Sequence, residues 1–155
     1  MKIRRATRDD EDLFVTIYKS AYSDMERYAY KKDREIKRYF RWLFKRDPEG
    51  LFFALNENNL PVAIIACDST WFSSYEYTQV GEIHELAVMK NYQGRGIGRK
   101  LMITGEKYFI KKELKKAELW VGEENRRAIK FYLSLGYTPR EKAWGDWIRM
   151  VKSLI

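Results

Sequence analysis

The segment Gln93–Arg99, with the sequence Gln-Gly-Arg-Gly-Ile-Gly-Arg, constrains the fold of this 155-residue chain more than any other. It follows Gln79–Met89, which is predicted to be a strand, and leads into a helical pattern over Gly96–Glu113. Glycine lets the backbone adopt positive φ and approach a ligand closely. Free amide groups at the start of a helix attract an anion. The sequence therefore predicts a strand–turn–helix unit that binds a phosphorylated ligand.

Two common phosphate-binding motifs do not fit this segment. A P-loop needs Gly-Lys-Ser/Thr after the glycines, and a dinucleotide-binding fold needs an earlier βαβ unit. Taken alone, the segment is also compatible with a plain connection from strand to helix. The formal net charge of +8 favours a polyanionic partner but does not choose among nucleic acid, an acidic membrane surface and a phosphorylated cofactor.

Length and composition predict one domain, spanning residues 1–155, with a sizeable core. No run of 18 apolar residues occurs, and the first 14 residues include the acidic run 9–12 where a signal peptide needs an apolar stretch, so we expect a cytoplasmic protein. Cys67 and His84 are the only residues of their types. We expect no metal site, and Cys67, in the apolar run Val62–Cys67, is predicted to be a buried thiol.

Hydrophobic periodicity and turn residues predict a mixed α/β order of elements. The predicted strands are Lys2–Ala6, Leu51–Leu55, Val62–Cys67, Gln79–Met89, Ala117–Val121, Tyr137–Lys142 and Trp147–Leu154. The predicted helices run from Asp9 or Asp10 to Ser23, and over Asp33–Lys45, Gly96–Glu113 and Asn125–Leu135.

Two motifs in this order resemble a known family. Glu85–Val88 followed by Tyr92–Met102 is similar to the acetyl-CoA-binding motif of the GNAT family, the GCN5-related N-acetyltransferases, with Gln93, Gly96 and Gly98 at its signature positions. Asn125–Tyr132 and Leu135-Gly136-Tyr137 resemble a second family motif. The resemblance covers essentially the whole chain and is weakest over Ala21–Arg46. One departure is Lys90-Asn91, which stands where many members carry a proline.

The resemblance implies a central, mixed and mostly antiparallel sheet flanked by helices, and transfer of an acetyl group from acetyl-CoA to an amine. It also implies which residues contact the cosubstrate, through the pantetheine arm or the pyrophosphate. These are Leu86, Ala87, Val88, Gln93, Gly94, Arg95, Gly96, Ile97, Gly98, Arg99, Asn125, Ala128 and Tyr132.

The chemistry calls for a general base, because a lysine-like amine with a pKa of about 10.4 is only roughly one part in a few thousand neutral at pH 7. Glu76, Glu82 and Glu85 are the candidates. Glu82 stands where histone-type members of the family place their glutamate and is slightly favoured, while Glu85 resembles the acidic position of several small-amine acetyltransferases. Strict alternation would place Glu82, His84, Leu86 and Val88 on one face of the strand and Ile83, Glu85 and Ala87 on the other, unless a bulge intervenes.

The resemblance assigns Tyr132 as the general acid that protonates the leaving thiolate. Asn125 is expected both to cap its helix and to bond the pantetheine arm. We expect direct attack in a ternary complex, with an amide near Val88 stabilising the oxyanion. His84 is open as a proton relay or as a packed histidine, and Cys67, outside the motifs, argues against an acetyl-cysteine step.

The acceptor is the vaguest part of the prediction. An aromatic rim includes the candidate substrate residues Tyr28, Trp71, Tyr75 and Trp144. The acceptor stays open between a small molecule and a protein N-terminus or lysine, and so does a non-catalytic acetyl-CoA sensor. Nucleic acid binding through the basic helix Asp33–Lys45 and membrane binding are not expected, and dimerisation through the last strands is left open.

Overall fold

The computed structural model describes residues 1–140 and 145–155, which form a seven-stranded sheet in the order β1-β2-β3-β4-β5-β7-β6. Among the strands of the described residues, only the pairing of β4 with β5 is parallel, which confirms the predicted mixed and mostly antiparallel sheet. The strands are β1 Lys2–Arg5, β2 Leu51–Leu55, β3 Pro61–Ser73, β4 Thr78–Val88, β5 Lys116–Gly122, β6 Thr138–Pro139 and β7 Trp147–Ser153. The α-helices are α1 Glu11–Ala21, α2 Asp33–Arg46, α3 Ile97–Lys111 and α4 Arg126–Ser134.

Apolar side chains cover both faces of the sheet. On one face, α1 and α2 bury Phe14, Ile36 and Phe40 against β2 and β3. On the other face, α3 buries Leu101 and Phe109 against β3, β4 and β5. Each helix thus presents one apolar stripe to the sheet, as its periodicity predicts.

Cys67 belongs to β3, and its side chain faces α3. It is buried, and a Cβ at Gly105 would come within 2.8 Å of its sulfur, so only glycine allows the helix to approach the strand this closely. Burial raises the pKa of the Cys67 thiol well above its ordinary value. The prediction of a buried thiol is confirmed.

A β-bulge interrupts the alternation of β4. Ala66 of β3 lies opposite Glu85 and Cys67 opposite Ile83, so β4 carries one extra residue, His84. The expected facing of this strand is therefore wrong in part. His84 contacts Trp42 of α2, whereas Leu86 packs on the α3 side of the sheet together with Ile83.

Two predicted strand ends differ from the structure. β3 continues past Cys67 to Ser73 because its polar residues find partners: Arg46 donates to Asp68 at 2.7 Å, and Ser69 donates to Asp47. The described part of the last predicted strand pair begins with only Thr138–Pro139, and residues 141–142 of that prediction lie outside the described residues.

β4 and β5 separate after a short contact. They pair only from Gly81–Ile83 to Ala117–Leu119, after which β4 stays with β3 and β5 stays with β7. The diverging ends leave a gap in the sheet. None of the described helices is long and apolar enough to cross a membrane.

Candidate active site

The glycine-rich turn after β4 has the backbone that its sequence predicts. Gly94 and Gly96 have φ of 77° and 84°, in the left-handed region, and α3 begins at Ile97 with no side-chain cap on its amides. A Cβ on Gly96 would meet no atom of residues 1–140 or 145–155 within 4 Å, so these residues leave the space above the helix start open. The first turn of α3 thus offers unpaired N–H groups to an anion.

Both the nitrogen and the oxygen of the Gln93 side-chain amide form hydrogen bonds. Its Nε2 donates to the Val88 carbonyl at 2.9 Å, and its Oε1 accepts from Arg127 of α4 at 3.2 Å. These bonds tie the end of β4, the glycine-rich turn and α4 together. Arg127 also places a guanidinium within 3.8 Å of the position a Cβ would take on Gly94.

A cavity of about 1030 Å³ runs from this turn into the gap between β4 and β5. Its walls come from the start of α3, from α4, from β4 and β5, and from α1, α2 and their connection. The predicted cofactor residues on its wall are Leu86, Val88, Gln93, Gly94, Gly96, Ile97, Gly98, Arg99, Asn125, Ala128 and Tyr132.

Two predicted cofactor residues lie outside the wall of this cavity. The side chain of Ala87 is buried in the core under α1 and α2. Arg95 stacks over Tyr92 at 5.0 Å and lines a smaller neighbouring cavity of about 310 Å³ together with Lys100.

Glu85 lies in the wall of the large cavity between two phenols. Tyr22, directly after α1, donates to its Oε2 at 2.6 Å, and Tyr39 of α2 donates to its Oε1 at 2.9 Å. Burial raises the pKa of Glu85 to about 7, although the two phenol hydrogen bonds act to lower it. Near neutral pH this carboxylate can therefore both accept and release a proton.

Tyr132 faces the same cavity from α4. Burial, and then the charge of Glu85, raise the pKa of Tyr132 above its ordinary value, so the phenol stays protonated at neutral pH. Asn125 begins this helix by accepting from the Ala128 amide at 3.2 Å, as expected of a helix cap. The helix start thus places Asn125 and Tyr132 along one side of the gap.

Glu82, the other candidate base, is not among the residues that line the cavity. It is 2% exposed beside Glu118, and its Oε1 has no hydrogen-bond partner within residues 1–140 and 145–155. Burial, and then hydrogen bonding to Glu118, raise the pKa of Glu82 well above its ordinary value. The third candidate, Glu76, instead forms ion pairs with Lys116 and Arg149.

His84 lines the cavity, and its ring is held in place by contacts with Asp68, Trp42 and Trp71. Its Nε2 lies 2.9 Å from Asp68 Oδ2, and its ring packs edge-to-face against Trp42 and Trp71 at 4.9 Å. Burial alone would raise the pKa of Asp68, but hydrogen bonds from His84 and Arg46 lower it well below its ordinary value. These contacts fit the packed histidine better than the proton relay.

Of the aromatic residues predicted to bind the acceptor, Tyr28 lines the cavity. Trp71 and Tyr75 do not line it, but contact residues that do, namely His84 and Trp120. Trp144 lies outside the described residues. In the part of the chain that the structure describes, no group of three or more His, Cys, Asp or Glu could hold a metal ion.

Several cavity residues were not identified as site residues from the sequence. Tyr18 and Tyr39 fit the apolar stripes of their helices, and Tyr22 belongs only to a general aromatic rim. No role was predicted from the sequence for Arg27 or Arg127. Tyr18 and Tyr39 could have been identified from one sequence feature. They lie on the core-facing side of a helix that packs against a strand carrying a glutamate.

Comparison with known proteins identifies the class. Residues 14–137 match the acetyltransferase (GNAT) family, and the chain belongs to this family. A relative named as an uncharacterized N-acetyltransferase, from Methanocaldococcus jannaschii, is 44% identical over 98% of this chain, which spans 66% of the relative's length. The chain is thus an acyltransferase of the N-acetyltransferase class.

Two solved structures resemble the fold. A protein from Pyrococcus horikoshii is 36% identical with a TM-score of 0.87, covering 98% of this chain and 97% of the other. PaiA N-acetyltransferase from Thermoplasma acidophilum, solved in complex with coenzyme A, is 18% identical with a TM-score of 0.81 and covers 98% of both chains.

Proposed function

We propose that this protein transfers the acetyl group of acetyl-CoA to a primary amine, of a small molecule or a protein, by direct attack in a ternary complex. One observation carries the proposal: the glycine-rich turn, Glu85 and Tyr132 all line a single cavity. We further propose that residues 1–155 act as one N-acetyltransferase domain.

The chain's residues fit acetyl-CoA as the cosubstrate. The open amides at the start of α3 and the guanidinium of Arg127 suit the pyrophosphate. The gap between β4 and β5 suits the pantetheine arm, with the exposed edge of β4 on one side and Asn125 on the other. The thioester then lies between Glu85 and Tyr132, and supplies the activated acetyl group.

In the reaction, Glu85 accepts the proton of the acceptor ammonium, directly or through Tyr22. The neutral nitrogen attacks the thioester carbonyl carbon, and a backbone amide near Val88 stabilises the negative charge on the carbonyl oxygen. As the carbon–sulfur bond breaks, Tyr132 donates its phenolic proton to the departing sulfur. The attacking nitrogen loses its second proton as the amide forms, and this proton returns Tyr132 to the phenol, while the proton held by Glu85 leaves to solvent. Glu85 is favoured over Glu82 as the base because only Glu85 lines the cavity.

The test is acetyl-CoA turnover with a panel of alkylamines, polyamines, aminoglycosides and short peptides, with coenzyme A and the acetylated product measured by chromatography. We expect one amine class to be consumed in equal amount to the coenzyme A released. Glu85→Gln is expected to lower kcat/KM by about 10²–10⁴-fold, the usual contribution of a positioned base.

Glu82→Gln is the matched variant, because it makes the same change one bulge away on the same strand and outside the cavity wall. It is expected to keep kcat/KM within about threefold, since no lost base catalysis is involved. A large loss in Glu82→Gln with an active Glu85→Gln would assign the base to Glu82. Binding of acetyl-CoA without any turnover would instead support a non-catalytic sensor.

A further inference from the structure

The connection between α1 and α2, residues 22–32, crosses the open end of the gap between β4 and β5. We call this connection the strap. On the β4 side it is anchored by Asp24, whose carboxylate pairs with Lys90 Nζ at 2.5 Å. The amide of Lys90 also donates to Ser20 Oγ at 2.9 Å, which holds the end of α1 against the end of β4.

On the β5 side the strap is anchored by Arg27. Its Nη1 lies 2.6 Å from Glu124 Oε2, just after β5, and its Nη2 lies 2.8 Å from Asp146 Oδ2, just before β7. One guanidinium therefore joins the strap to both segments at this end of the sheet. We call this pair of ion pairs the Arg27 bridge.

Tyr28 adds an aromatic contact beside the bridge. Its ring covers Gly122, where a Cβ would come within 2.4 Å of it, and packs edge-to-face on Trp147 at 5.3 Å. Its hydroxyl accepts from the Glu124 amide at 3.2 Å. The strap thus spans the gap from one strand to the other.

The strap is also part of the cavity wall. Asp24, Met25, Arg27, Tyr28, Ala29 and Tyr30 line the same cavity as Glu85 and Tyr132. An acceptor that approaches Glu85 from the side of α1 and α2, opposite the start of α3, therefore meets the strap before it meets the carboxylate. Tyr22, the first residue of the strap, lines the cavity together with Tyr18 and Tyr39 of the neighbouring helices, and these rings suit an alkyl stem or a cationic amine.

We propose that Arg27 is a specificity-determining residue, which holds the strap closed and restricts the acceptor to an amine carried on a slim, unbranched stem. The inference rests on the proposed acetyl transfer at Glu85. A polypeptide carries side chains and a continuing backbone on either side of its amine, and it requires the Arg27 bridge to open. An alkylamine passes beneath the bridge without opening it.

The bridge can open without unfolding the protein. The side chains of Arg27, Glu124 and Asp146 are 48%, 63% and 54% exposed, and exposed ion pairs are weak and screened by salt. Polypeptide acceptors should therefore gain access when the bridge is removed or when the ionic strength is raised.

The experiment compares kcat/KM for a short unbranched alkylamine and for a short peptide with a free N-terminus and one lysine, in the wild-type protein and in Arg27→Ala. We expect the wild type to prefer the alkylamine by about tenfold or more, the size of effect that a few lost contacts produce. In Arg27→Ala, the peptide value should rise by about tenfold while the alkylamine value changes by less than about threefold. Raising the salt concentration should increase the peptide rate of the wild type only.

Two further variants serve as an independent removal of the bridge and as a control. The double substitution Glu124→Gln with Asp146→Asn removes the same bridge from its other side and should reproduce Arg27→Ala, even if that variant folds poorly. Lys19→Ala removes an ion pair with Asp33 of similar exposure away from the cavity, and should leave the preference unchanged.

The outcomes separate the two proposals. Equal use of peptide and alkylamine by the wild type, or an unchanged preference in both bridge variants, would overturn the role of Arg27 and leave the acetyl transfer standing. If no amine is acetylated by any variant although acetyl-CoA binds, the proposed function fails and this inference fails with it.

Discussion

At the scale of single residues, the feature that stands out is one carboxylate held by two phenols. Tyr22, directly after α1, and Tyr39 of α2 donate to different oxygens of Glu85. Both phenols have a pKa raised well above the ordinary value, by burial first and then by the charge of Glu85, so they remain donors. This arrangement keeps a buried carboxylate from becoming permanently protonated.

The pH dependence of catalysis should report this carboxylate. With an alkylamine acceptor whose own pKa is about 10.4, kcat/KM should fall as the pH drops through about 7, because Glu85 becomes protonated. Tyr22→Phe removes a hydrogen bond that lowers the pKa of Glu85, so this limb should move to higher pH. Tyr30→Phe, a cavity phenol without a bond to Glu85, should leave the limb in place; equal shifts in both variants would argue against Glu85 as the base.

Glu82 should affect stability rather than turnover. Because its folded-state pKa is raised, its contribution to stability is fully present below its unfolded pKa of about 4.3 and is lost as the pH rises through the folded pKa. Glu82→Gln should therefore raise Tm at pH 8, because glutamine is neutral without taking up a proton, and the gain should vanish near pH 4, where glutamate is protonated in both states. Thermal unfolding followed by circular dichroism at several pH values measures both.

Substitution of Glu76 should change Tm in the opposite direction in the same experiment. Hydrogen bonds from Lys116 and Arg149 lower the pKa of Glu76, so its contribution is present above its unfolded pKa and is lost as the pH falls through the folded pKa. Glu76→Gln should lower Tm at pH 8 and have less effect near pH 3. If both variants changed Tm in the same direction at pH 8, the assignment of the two carboxyl groups would be contradicted.

At the scale of elements, the start of α3 can be tested through Gly98. A Cβ there would lie 3.4 Å from the Phe131 ring, an ordinary contact, so Gly98→Ala should fold with little change in Tm. The added methyl group lies at the cavity wall where the proposed pyrophosphate approaches the backbone, and we expect the Kd for coenzyme A to rise by about tenfold or more. Calorimetric titration measures it, and an unchanged Kd would contradict a phosphate site at this helix start.

The sequence predicts elements well where the signal is local. The glycine-rich turn, the cap of α4 by Asn125 and the order of strands and helices all follow from neighbouring residues, and the structure has them. The bulge at His84 is not local, because it depends on how β3 and β4 align. The phenol partners of Glu85 lie 63 and 46 residues away along the chain, so no spacing rule reveals them.

At the scale of the whole molecule, the sheet has a narrow seam. Three residue pairs join β4 to β5, whereas seven pairs join β5 to β7. Strand pairing holds a sheet together. We therefore expect the free energy for separating β5, β7 and α4 from the rest of the protein to be lower than the free energy of global unfolding. The proposed coenzyme A site contacts both sides of this seam.

Hydrogen exchange measured by mass spectrometry tests this expectation. Without ligand, amides of β5 and β7 should exchange faster than those of β2 and β3, and saturating coenzyme A should slow them most, because a ligand that binds only the closed form opposes the opening. Uniform protection on adding coenzyme A would contradict a separate opening at the seam.

The close contact between Gly105 and Cys67 has a practical consequence for kinetics. A thiol reagent cannot reach the only cysteine of the chain until α3 separates from the sheet, so its rate of labelling counts large opening events rather than surface accessibility. Coenzyme A released by turnover is a free thiol in solution and reacts at once. In a single mixture, the fast phase of thiol modification therefore reports product formation, and the slow phase reports the lifetime of the native state.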